Sequence, residues 1–215
     1  MILVPVKHLE NAKQRLSSVL NPEARRELAQ AMCADVLETL AGWRQRPAVT
    51  VVTSDPFTVN LAANLGFEVL RDEIDPGETG AIEMATAFCR ERGVSYALVL
   101  PADIPLLQSS ELDKILELAP PRGSVLVPDA AGRGTNAAYR APADLFPLRF
   151  GNDSFLPHRA MAQATGCPCV VLDLPGIALD VDRPENLHAL AAARGERRSQ
   201  QLVRSWSLDA QVCRG

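Results

Sequence analysis

The sequence predicts a single α/β domain, a three-layer sandwich in which helices cover both faces of a mainly parallel, twisted sheet. Short apolar runs of strand length alternate along the chain with segments of helical periodicity, the pattern typical of α/β proteins. No internal repeat or low-complexity tract interrupts this alternation. The chain has 215 residues, 47% of them hydrophobic, so it is long enough to bury roughly 70–75% of its unfolded surface around one core.

Helices cover both faces of parallel strands, so the sequences of such strands are nearly continuous apolar runs. Five short runs of this kind are therefore predicted to be buried parallel strands. Most of these runs are too short to form helices. They lie at residues 2–6, 49–53, 96–100, 124–127 and 170–172.

The helices are predicted from start signals and from apolar spacing. Asn21 and Pro22 supply a cap and a first-turn proline for the first helix, and Asp55 with Pro56 repeats this signal for the second. Apolar residues recur at helical spacing in the first of them, at Ala24, Leu28, Met32, Val36 and Leu40. Further helices are expected at about residues 56–65, 80–92, 109–118, 154–164 and 184–194.

The last residues lack clear periodicity. We therefore assign residues 1–194 to the domain and residues 195–215 to a C-terminal tail or docking arm. This arm contains three arginines, Trp206 and Leu208. A basic run is most often a solvated surface, and a tryptophan at the surface could equally mark a contact in a homodimer. Both interpretations stay open.

Composition excludes several classes of protein. The five cysteines are odd in number and scattered, so neither a disulfide framework nor a four-cysteine zinc site is expected. No stretch approaches the ~18 apolar residues of a membrane span, and no cationic signal segment follows Met1. We therefore expect a cytoplasmic protein with no membrane partner. The net charge of −4 argues against nucleic acid as a partner.

The charges are unevenly distributed. Residues 55–120 contain 12 acidic and 4 basic residues, a net charge of −8, so the rest of the chain carries +4. An acidic middle segment therefore lies within a mildly cationic frame.

Ligands of open parallel sheets bind beyond the carboxyl ends of the strands, so the loops after the strands carry the candidate residues. The first loop places Lys7, Lys13 and Arg15 within nine residues, which suits a polyphosphate, although a solvated loop explains them equally well. The sequence contains neither the glycine-lysine loop of P-loop NTPases nor the glycine-rich fingerprint of dinucleotide-binding folds.

Three aspartates are candidate metal ligands. Asp103 follows the strand at 96–100 in a turn that two prolines stiffen, and Asp180 and Asp182 precede Pro184. Converging carboxylates would make the oxygen-rich site that Mg²⁺ bound to substrate phosphates prefers. The alternative is that these aspartates cap helices or turns.

Three further loops contain glycines that let the backbone approach a ligand. In residues 129–136, Gly132 and Gly134 flank an arginine and suit an anion. Gly151 and Ser154 lie at a helix start, where free N–H groups attract a phosphate or carboxylate. Residues 75–81 could meet the edge of a nucleobase. A hairpin turn, an N-cap and an ordinary turn are the respective alternatives.

Other catalytic chemistries lack support. His8, His158 and His188 have no partner at metal-ligand spacing, and there is no serine-histidine-aspartate order, nucleophile elbow or catalytic cysteine context.

Five ordered motifs resemble a known family across roughly residues 1–190. They are V-P-V-K-x-L-x-x-A-K-x-R-L-S, P-A-D-I-P-L, G-T-N-A, F-G-x-x-S-x-x-x-H and D-V-D-x-P-E-N-L. They are similar to those of the guanylyltransferases of deazaflavin coenzyme biosynthesis, which act on phospholactate or phosphoenolpyruvate. This family has the MobA-like, Rossmann-like nucleotidyltransferase fold of the nucleotide-diphospho-sugar transferase type.

The resemblance implies transfer of GMP from GTP to a small phospho-carboxylic acid, with Mg²⁺ as cofactor and pyrophosphate as the second product. It implies roles for four groups of residues. The metal ligands would be Asp103, Asp180 and Asp182; the acceptor-binding residues Thr135, Gly151 and Ser154; the GTP-binding residues Lys7, Lys13, Arg15, Gly77 and Gly80; and the catalytic residues Lys13, Arg15 and Asp103. Family members often have G-L-N near residue 80, where this chain has Gly80-Ala81-Ile82.

This chemistry agrees with the residues themselves, because an acceptor phosphate needs little deprotonation at neutral pH and no general base. Two alternatives stay open: a related nucleotidyltransferase with another base or acceptor, and a non-catalytic domain that binds nucleotide or Mg²⁺. The sequence does not separate 2-phospho-L-lactate, phosphoenolpyruvate and 3-phospho-D-glycerate as acceptors.

Overall fold

A seven-stranded sheet forms the middle layer of the protein. The structure is a computed structural model that describes residues 1–71, 77–151 and 153–206. In chain order the strands are β1 (Ile2–Pro5), β2 (Val49–Val52), β3 (Glu68–Leu70), β4 (Ala97–Val99), β5 (Gly123–Pro128), β6 (Thr135–Ala141) and β7 (Cys169–Val171). Their order across the sheet is β3-β2-β1-β4-β6-β5-β7.

Helices cover both faces of this sheet. They are α1 (Pro22–Gly42), α2 (Pro56–Asn64), α3 (Gly77–Glu91), α4 (Ser109–Leu118), α5 (Phe155–Ala164), α6 (Pro175–Ala178), α7 (Pro184–Ala192) and α8 (Arg198–Ser205). Residues of α1, α4 and α6 pack with Ile2 and Val4 in one core, and residues of α3 and α5 pack with Leu3 in the other. The predicted three-layer α/β sandwich is confirmed.

The sheet is parallel except around β6. β6 runs antiparallel to both β4 and β5, whereas the other neighbouring strands are parallel. β6 is not predicted from the sequence, because its alanines and its buried Arg140 lack the β-branched composition of a typical strand. β3, which has three residues, is not predicted either.

One strand prediction was wrong in its burial. The run at 170–172 corresponds to β7, which is parallel to β5 but lies at the edge of the sheet. Val171 is therefore exposed rather than buried between helices.

The predicted helix starts are confirmed. The side chain of Asn21 accepts a hydrogen bond from the amide of Ala24, and that of Asp55 accepts one from the amide of Thr58. Pro22 and Pro56 occupy the first turns of these helices. Side-chain caps thus fix where the two helices begin.

The segment after Gly195 contains a helix that packs on α1 and α7. The carboxylate of Asp35 in α1 accepts hydrogen bonds from the amides of Arg198 and Ser199 and from the Ser199 hydroxyl, at 2.5–3.0 Å. A buried carboxylate of α1 therefore caps α8. Trp206 is partly buried against the same helices, and Leu208 lies outside the described residues.

None of the helices in residues 1–71, 77–151 and 153–206 is long and apolar enough to cross a lipid bilayer.

Candidate active site

The ammonium group of Lys13 lies between two carboxylates at the carboxyl end of the sheet. Lys13 Nζ is 2.5 Å from Oδ2 of Asp103 and 2.7 Å from Oδ1 of Asp182. Lys13 follows β1, Asp103 follows β4, and Asp182 comes shortly before α7. The Lys13 side chain is 7% exposed, whereas those of Asp103 and Asp182 are 28% and 34% exposed. The cation is thus enclosed, while both carboxylates keep one side open.

Backbone contacts fix the loops that carry these side chains. Lys13 has the left-handed conformation, with φ at 57°, which is uncommon for a residue with a Cβ atom. The amide of Val181 donates to the carbonyl oxygen of Asp103 at 3.1 Å, which joins the two aspartate loops. The amide of Leu9 donates to the Asp55 carboxylate at 3.2 Å, which ties the Lys13 loop to the start of α2.

The charges of this cluster stabilise one another. Burial by itself lowers the pKa of the Lys13 ammonium, but Asp103 and Asp182 outweigh this effect and raise that pKa above its ordinary value. Burial likewise raises the pKa of the Asp182 carboxyl, but Lys13, with Arg15 and Arg183, brings it below its ordinary value. Lys13 and Asp182 are therefore both charged at neutral pH.

Asp180 has a different environment. Burial, together with the negative charge of Asp103, raises the pKa of the Asp180 carboxyl. Oδ1 of Asp180 accepts a hydrogen bond from the side-chain nitrogen Nδ2 of Asn136 at 3.2 Å. The same nitrogen donates to the carbonyl oxygens of Ile177 and Ala178. Asn136 therefore holds both the Asp180 side chain and the backbone that leads to it.

An irregularity in the sheet places Asn136. Val127 of β5 pairs with Ala137 of β6, but Pro128 pairs with Thr135. The register therefore shifts, and no residue of β5 lies opposite Asn136. An extra residue of this kind re-aims side chains at the end of a strand. It lets the adjacent Thr135 and Asn136 both contribute to the site, Thr135 toward α5 and Asn136 toward α6.

Neither Asp180 nor Asp182 supplies the cap of α7 among the described hydrogen bonds. The side chain of Asn186 instead accepts from the amides of Asp182 and Arg183, at 3.3 and 2.8 Å. The capping alternative therefore does not account for these aspartates.

Two cavities meet at the Lys13 cluster. One, of about 470 Å³, has apolar residues such as Ala29, Met32 and Ala81 in its wall. The other, of about 670 Å³, is lined mainly by polar residues of the β5–β6 loop, the start of α5 and the segment before α7. Both cavities are lined by Lys7, Arg15, Pro101, Asp103 and Asp182. Charged residues thus form the boundary between two neighbouring cavities.

Thr135, Ser154 and His158 form a buried cluster beside the polar cavity. Thr135 and Ser154 line that cavity, and the Ser154 hydroxyl donates to Oγ1 of Thr135 at 3.4 Å. Nδ1 of His158 lies 2.9 Å from the same oxygen. Burial, reinforced by the positive charge of Arg140, lowers the pKa of His158 to about 4, so its ring is neutral at physiological pH.

The β5–β6 loop closes over the start of α5. This loop is a hairpin connection between β5 and β6, as one of the two interpretations of its sequence predicted. The carbonyl oxygen of its Arg133 accepts a hydrogen bond from the amide of Phe155 at 2.8 Å. Ser154 is the N-cap residue of α5, but its hydroxyl makes no cap bond. Gly151 lines the polar cavity with φ at 152°, a backbone conformation that favours glycine.

The remaining site residues lie around the apolar cavity or above it. Lys7 is exposed and lines both cavities, and Nη1 of Arg15 is 3.4 Å from Oδ2 of Asp182. Gly77 and Gly80 lie in the first turn of α3, next to Ala81 in the cavity wall. Asp75 and Pro76, which precede them in the same loop, lie outside the described residues.

The donor set of this cluster fits Mg²⁺. In the part of the chain that the structure describes, no three histidine, cysteine, aspartate or glutamate side chains gather into a ready-made metal site. Mg²⁺, however, is commonly held by one or two carboxylates together with waters and substrate phosphates. Asp103 and Asp182 already share a cation, the Lys13 ammonium, so two carboxylates converge where a positive charge is stabilised.

Sequence reasoning missed two residues of this site. Asn136 is part of the G-T-N-A motif, but only the structure shows that it holds Asp180. His158 has no partner at metal-ligand spacing in the sequence, and the signal that points to its role is its place four residues after Ser154, one helical turn away.

Comparisons with known proteins identify the family. The family model described as "Guanylyl transferase CofC like" matches residues 1–215. A phosphoenolpyruvate guanylyltransferase of Conexibacter woesei is 36% identical over 198 residues, 91% of this chain and 89% of the relative. A 2-phospho-L-lactate guanylyltransferase of Methanothermobacter thermautotrophicus is 34% identical over 185 residues, 86% and 81% of the two chains. A 3-phospho-D-glycerate guanylyltransferase of Colwellia psychrerythraea is 33% identical over 190 residues, 88% and 90%.

Solved structures share the fold. A chain from Desulfovibrio desulfuricans G20 described as a nucleotide-diphospho-sugar transferase superposes with a TM-score of 0.78 at 19% identity, over 98% of this chain and 96% of that one. A nucleotidyl transferase from Methanothermobacter thermautotrophicus gives 0.61 at 18% identity, over 95% and 99%. The fold, the ordered motifs and the full-length family match agree, and the chain belongs to the CofC-like guanylyl transferase family.

Proposed function

We propose that this chain transfers GMP from GTP to the phosphate of a small phospho-carboxylic acid and releases pyrophosphate. The observation that carries the proposal is the pair of cavities that share Lys7, Arg15, Asp103 and Asp182 in their walls. A transfer between two anionic substrates needs two neighbouring sites with charge control at their boundary.

The chemistry of the walls assigns each cavity a substrate. The cavity lined by Ala29, Met32 and Ala81 suits the nucleoside of GTP, because an apolar surface can cover a base and ribose. The polar cavity, with Arg133, Thr135 and Ser154 in its wall, suits a phospho-acid, because a guanidinium group and hydroxyl groups bind its oxygens. The α-phosphorus of GTP would then lie at the shared boundary.

In the reaction, an oxygen of the acceptor phosphate attacks the α-phosphorus of GTP. A new phosphorus–oxygen bond forms, the bond from the α-phosphorus to the bridging β-phosphate oxygen breaks, and that oxygen leaves with pyrophosphate. The acceptor phosphate is largely deprotonated at neutral pH, so the chain needs no general base. The positive charges of Lys7, Lys13 and Arg15 instead align the two anions and offset their negative charge.

Asp103 and Asp182 are the residues that would hold Mg²⁺, with Asp180 beside them. When bound, the metal supplies a positive charge that offsets the negative charges of the phosphates. Lys13 pairs with the same two carboxylates and keeps them close together. The side chain of Asn136 holds the Asp180 carboxylate in place by a hydrogen bond.

The acceptor belongs to a set of three. The relatives named for phosphoenolpyruvate, 3-phospho-D-glycerate and 2-phospho-L-lactate are similar to this chain at 36%, 33% and 34% identity. All three acids carry a carboxylate and a phosphate on a three-carbon skeleton, so the polar cavity has one recognition task in common: to bind two anionic groups a short distance apart.

Pyrophosphate release with GTP, Mg²⁺ and each of the three acids tests the proposal. We expect release that depends on GTP, on Mg²⁺ and on one acid above the others, and little release when CTP, ATP or UTP replaces GTP. Nucleotide binding without pyrophosphate release for any of the three acids would overturn the proposal and favour a non-catalytic binding domain. Preference for another nucleotide would indicate a nucleotidyltransferase of different base specificity.

A further inference from the structure

His158 is a buried side chain with two defined polar contacts. Its residue is 0% exposed, and the edge of its ring packs against Phe150 with centroids 5.2 Å apart. Nε2 accepts a hydrogen bond from the amide of Arg149 at 2.9 Å, and Nδ1 lies 2.9 Å from Oγ1 of Thr135. Both ring nitrogens are therefore engaged.

These contacts determine where the ring carries its proton. A backbone N–H can only donate, so Nε2 must present its lone pair to Arg149. The proton of the neutral ring is then on Nδ1, and Nδ1 donates it to Oγ1 of Thr135. A second proton on the ring would place Nε2–H against the Arg149 N–H, next to the positive charge of Arg140. The low pKa of His158 agrees with this arrangement.

The proton on His158 determines in turn how Thr135 presents its hydroxyl. Oγ1 of Thr135 receives the Nδ1–H of His158 and, at the longer distance of 3.4 Å, the hydroxyl of Ser154. A hydroxyl has two lone pairs and one proton. With both lone pairs occupied on the buried side, its own proton is left for a partner in the polar cavity that Thr135 lines.

We propose that His158 is a positioning residue that makes the Thr135 hydroxyl a hydrogen-bond donor toward an anionic oxygen of the phospho-acid. The proposal rests on the proposed function, because it takes the polar cavity as the acceptor site. A hydroxyl that pointed its lone pairs at a carboxylate or phosphate would repel it, whereas one that points its proton binds it. His158 thus acts on the acceptor through Thr135, without touching either substrate.

The tautomer is testable on the unaltered protein, with or without activity. Long-range ¹H–¹⁵N correlation spectra of protein labelled with ¹⁵N-histidine distinguish the two neutral tautomers. His188, exposed on α7, provides an internal reference for a solvated ring. A neutral His158 with its proton on Nδ1 is the expected result. A proton on Nε2 would overturn the proposal whatever reaction the chain catalyses.

A double-mutant cycle tests the action through Thr135. His158→Phe keeps an aromatic ring but cannot donate, and Thr135→Val keeps the shape of the side chain without its hydroxyl. We expect His158→Phe to raise the KM for the phospho-acid about tenfold while the KM for GTP changes less than about twofold. In the Thr135→Val background, the same substitution should change the acceptor KM by less than about twofold.

Two further variants separate positioning from loss of structure. His158→Asn can still donate from its amide to Thr135 and should recover most of the acceptor affinity, and His188→Phe should leave both KM values unchanged. Equal changes in the two KM values, or an effect of His158→Phe that persists undiminished in Thr135→Val, would contradict the proposal. If no transfer activity is found, the acceptor affinity is measured by calorimetry with each phospho-acid, so the failure of the proposed function stays distinguishable from failure of the tautomer.

Discussion

Lys13 Nζ lies 2.5 Å from Oδ2 of Asp103, although 90 residues separate the two in the sequence. The same nitrogen contacts Asp182, so one enclosed ammonium group pairs with both of the carboxylates proposed to hold Mg²⁺. The ammonium group thereby stabilises the negative charges of these aspartates. The Lys13 side chain is only 7% exposed, and a buried charge requires partners of this kind because leaving it unpaired costs several kcal/mol.

Lys13→Met should have opposite effects on catalysis and on metal binding. We expect kcat to fall about 100-fold, because a positive charge beside the phosphates is lost. Mg²⁺ alone should bind more tightly than to the unaltered protein, since no internal cation competes for Asp103 and Asp182. Calorimetry with Mg²⁺ in the absence of substrates measures this, with Lys114→Met, exposed on α4, as the control. Weaker Mg²⁺ binding would show that Lys13 does not compete with the metal.

Asp103→Asn should reduce kcat by roughly 100-fold or more while the fold survives, because the change removes one negative charge at the cavity boundary with little change in shape. Pyrophosphate release measures the rate, and circular dichroism checks the fold. Asp173→Asn, at an exposed position, is the matched control and should keep its activity. Undiminished turnover in Asp103→Asn would remove Asp103 from the mechanism.

Ser154→Ala should raise the KM for the phospho-acid more than the KM for GTP. Ser154 lines only the polar cavity among the two described cavities, and its hydroxyl contacts Oγ1 of Thr135 in the wall of the same cavity, so its loss should affect the acceptor more than the nucleotide. Steady-state kinetics with each substrate varied in turn measures the two values. Ser110→Ala, on the exposed side of α4, serves as control. Equal changes for both substrates would contradict the placement of the acceptor.

His158 should make the stability of the protein depend on pH. Its pKa is about 4 in the folded state, below its ordinary value of 6.5, so the unfolded chain binds a proton more readily. The contribution of His158 is therefore complete above pH 6.5 and is lost as the pH falls toward 4, at most about 3 kcal/mol. The free energy of unfolding, measured with denaturant between pH 7.5 and 4.5, should fall less steeply with decreasing pH in His158→Phe than in His188→Phe. Identical slopes would be inconsistent with a buried neutral ring.

Asp55→Ala should destabilise the protein by about 2–3 kcal/mol, because its buried carboxylate caps α2 and also accepts from the amide of Leu9. Asp55→Asn keeps one acceptor oxygen and should cost less. Chemical denaturation measures both changes. Because Asp55 also holds the Lys13 loop through Leu9, Asp55→Ala should lower kcat more than Asp55→Asn does. The same loss of stability in both variants would argue against a carboxylate that both caps α2 and holds this loop.

Apolar spacing and caps were sufficient to predict most of the fold. Asn21 and Asp55 mark their helices by local chemistry, and buried runs such as residues 49–53 have no competing explanation. β6 could not be recognised, because its fitness as a strand comes from neighbours on both sides. Arg140, near the end of β6, is acceptable there because the Phe146 carbonyl oxygen and the Thr86 hydroxyl accept its hydrogen bonds, and tertiary structure determines these partners.

The candidate site could also be predicted only in part, because some of its contacts depend on tertiary structure. Sheet topology brings residues after β1 and β4 together, so Lys13 and Asp103 could be expected to be neighbours. The residues that act through others could not be found from spacing. Asn136 depends on a register shift between β5 and β6, and His158 depends on the tautomer that the Arg149 amide imposes.

The contact between Lys13 and Asp182 spans 169 residues, about four-fifths of the chain. Forming it requires the closure of a very long loop, which costs chain entropy, and domains rich in such contacts fold slowly. During synthesis, Lys13 emerges long before the aspartates that neutralise it, and the partly made chain has no substrate boundary. Recovery of transfer activity after refolding therefore reports completion of the entire domain, rather than of any local element.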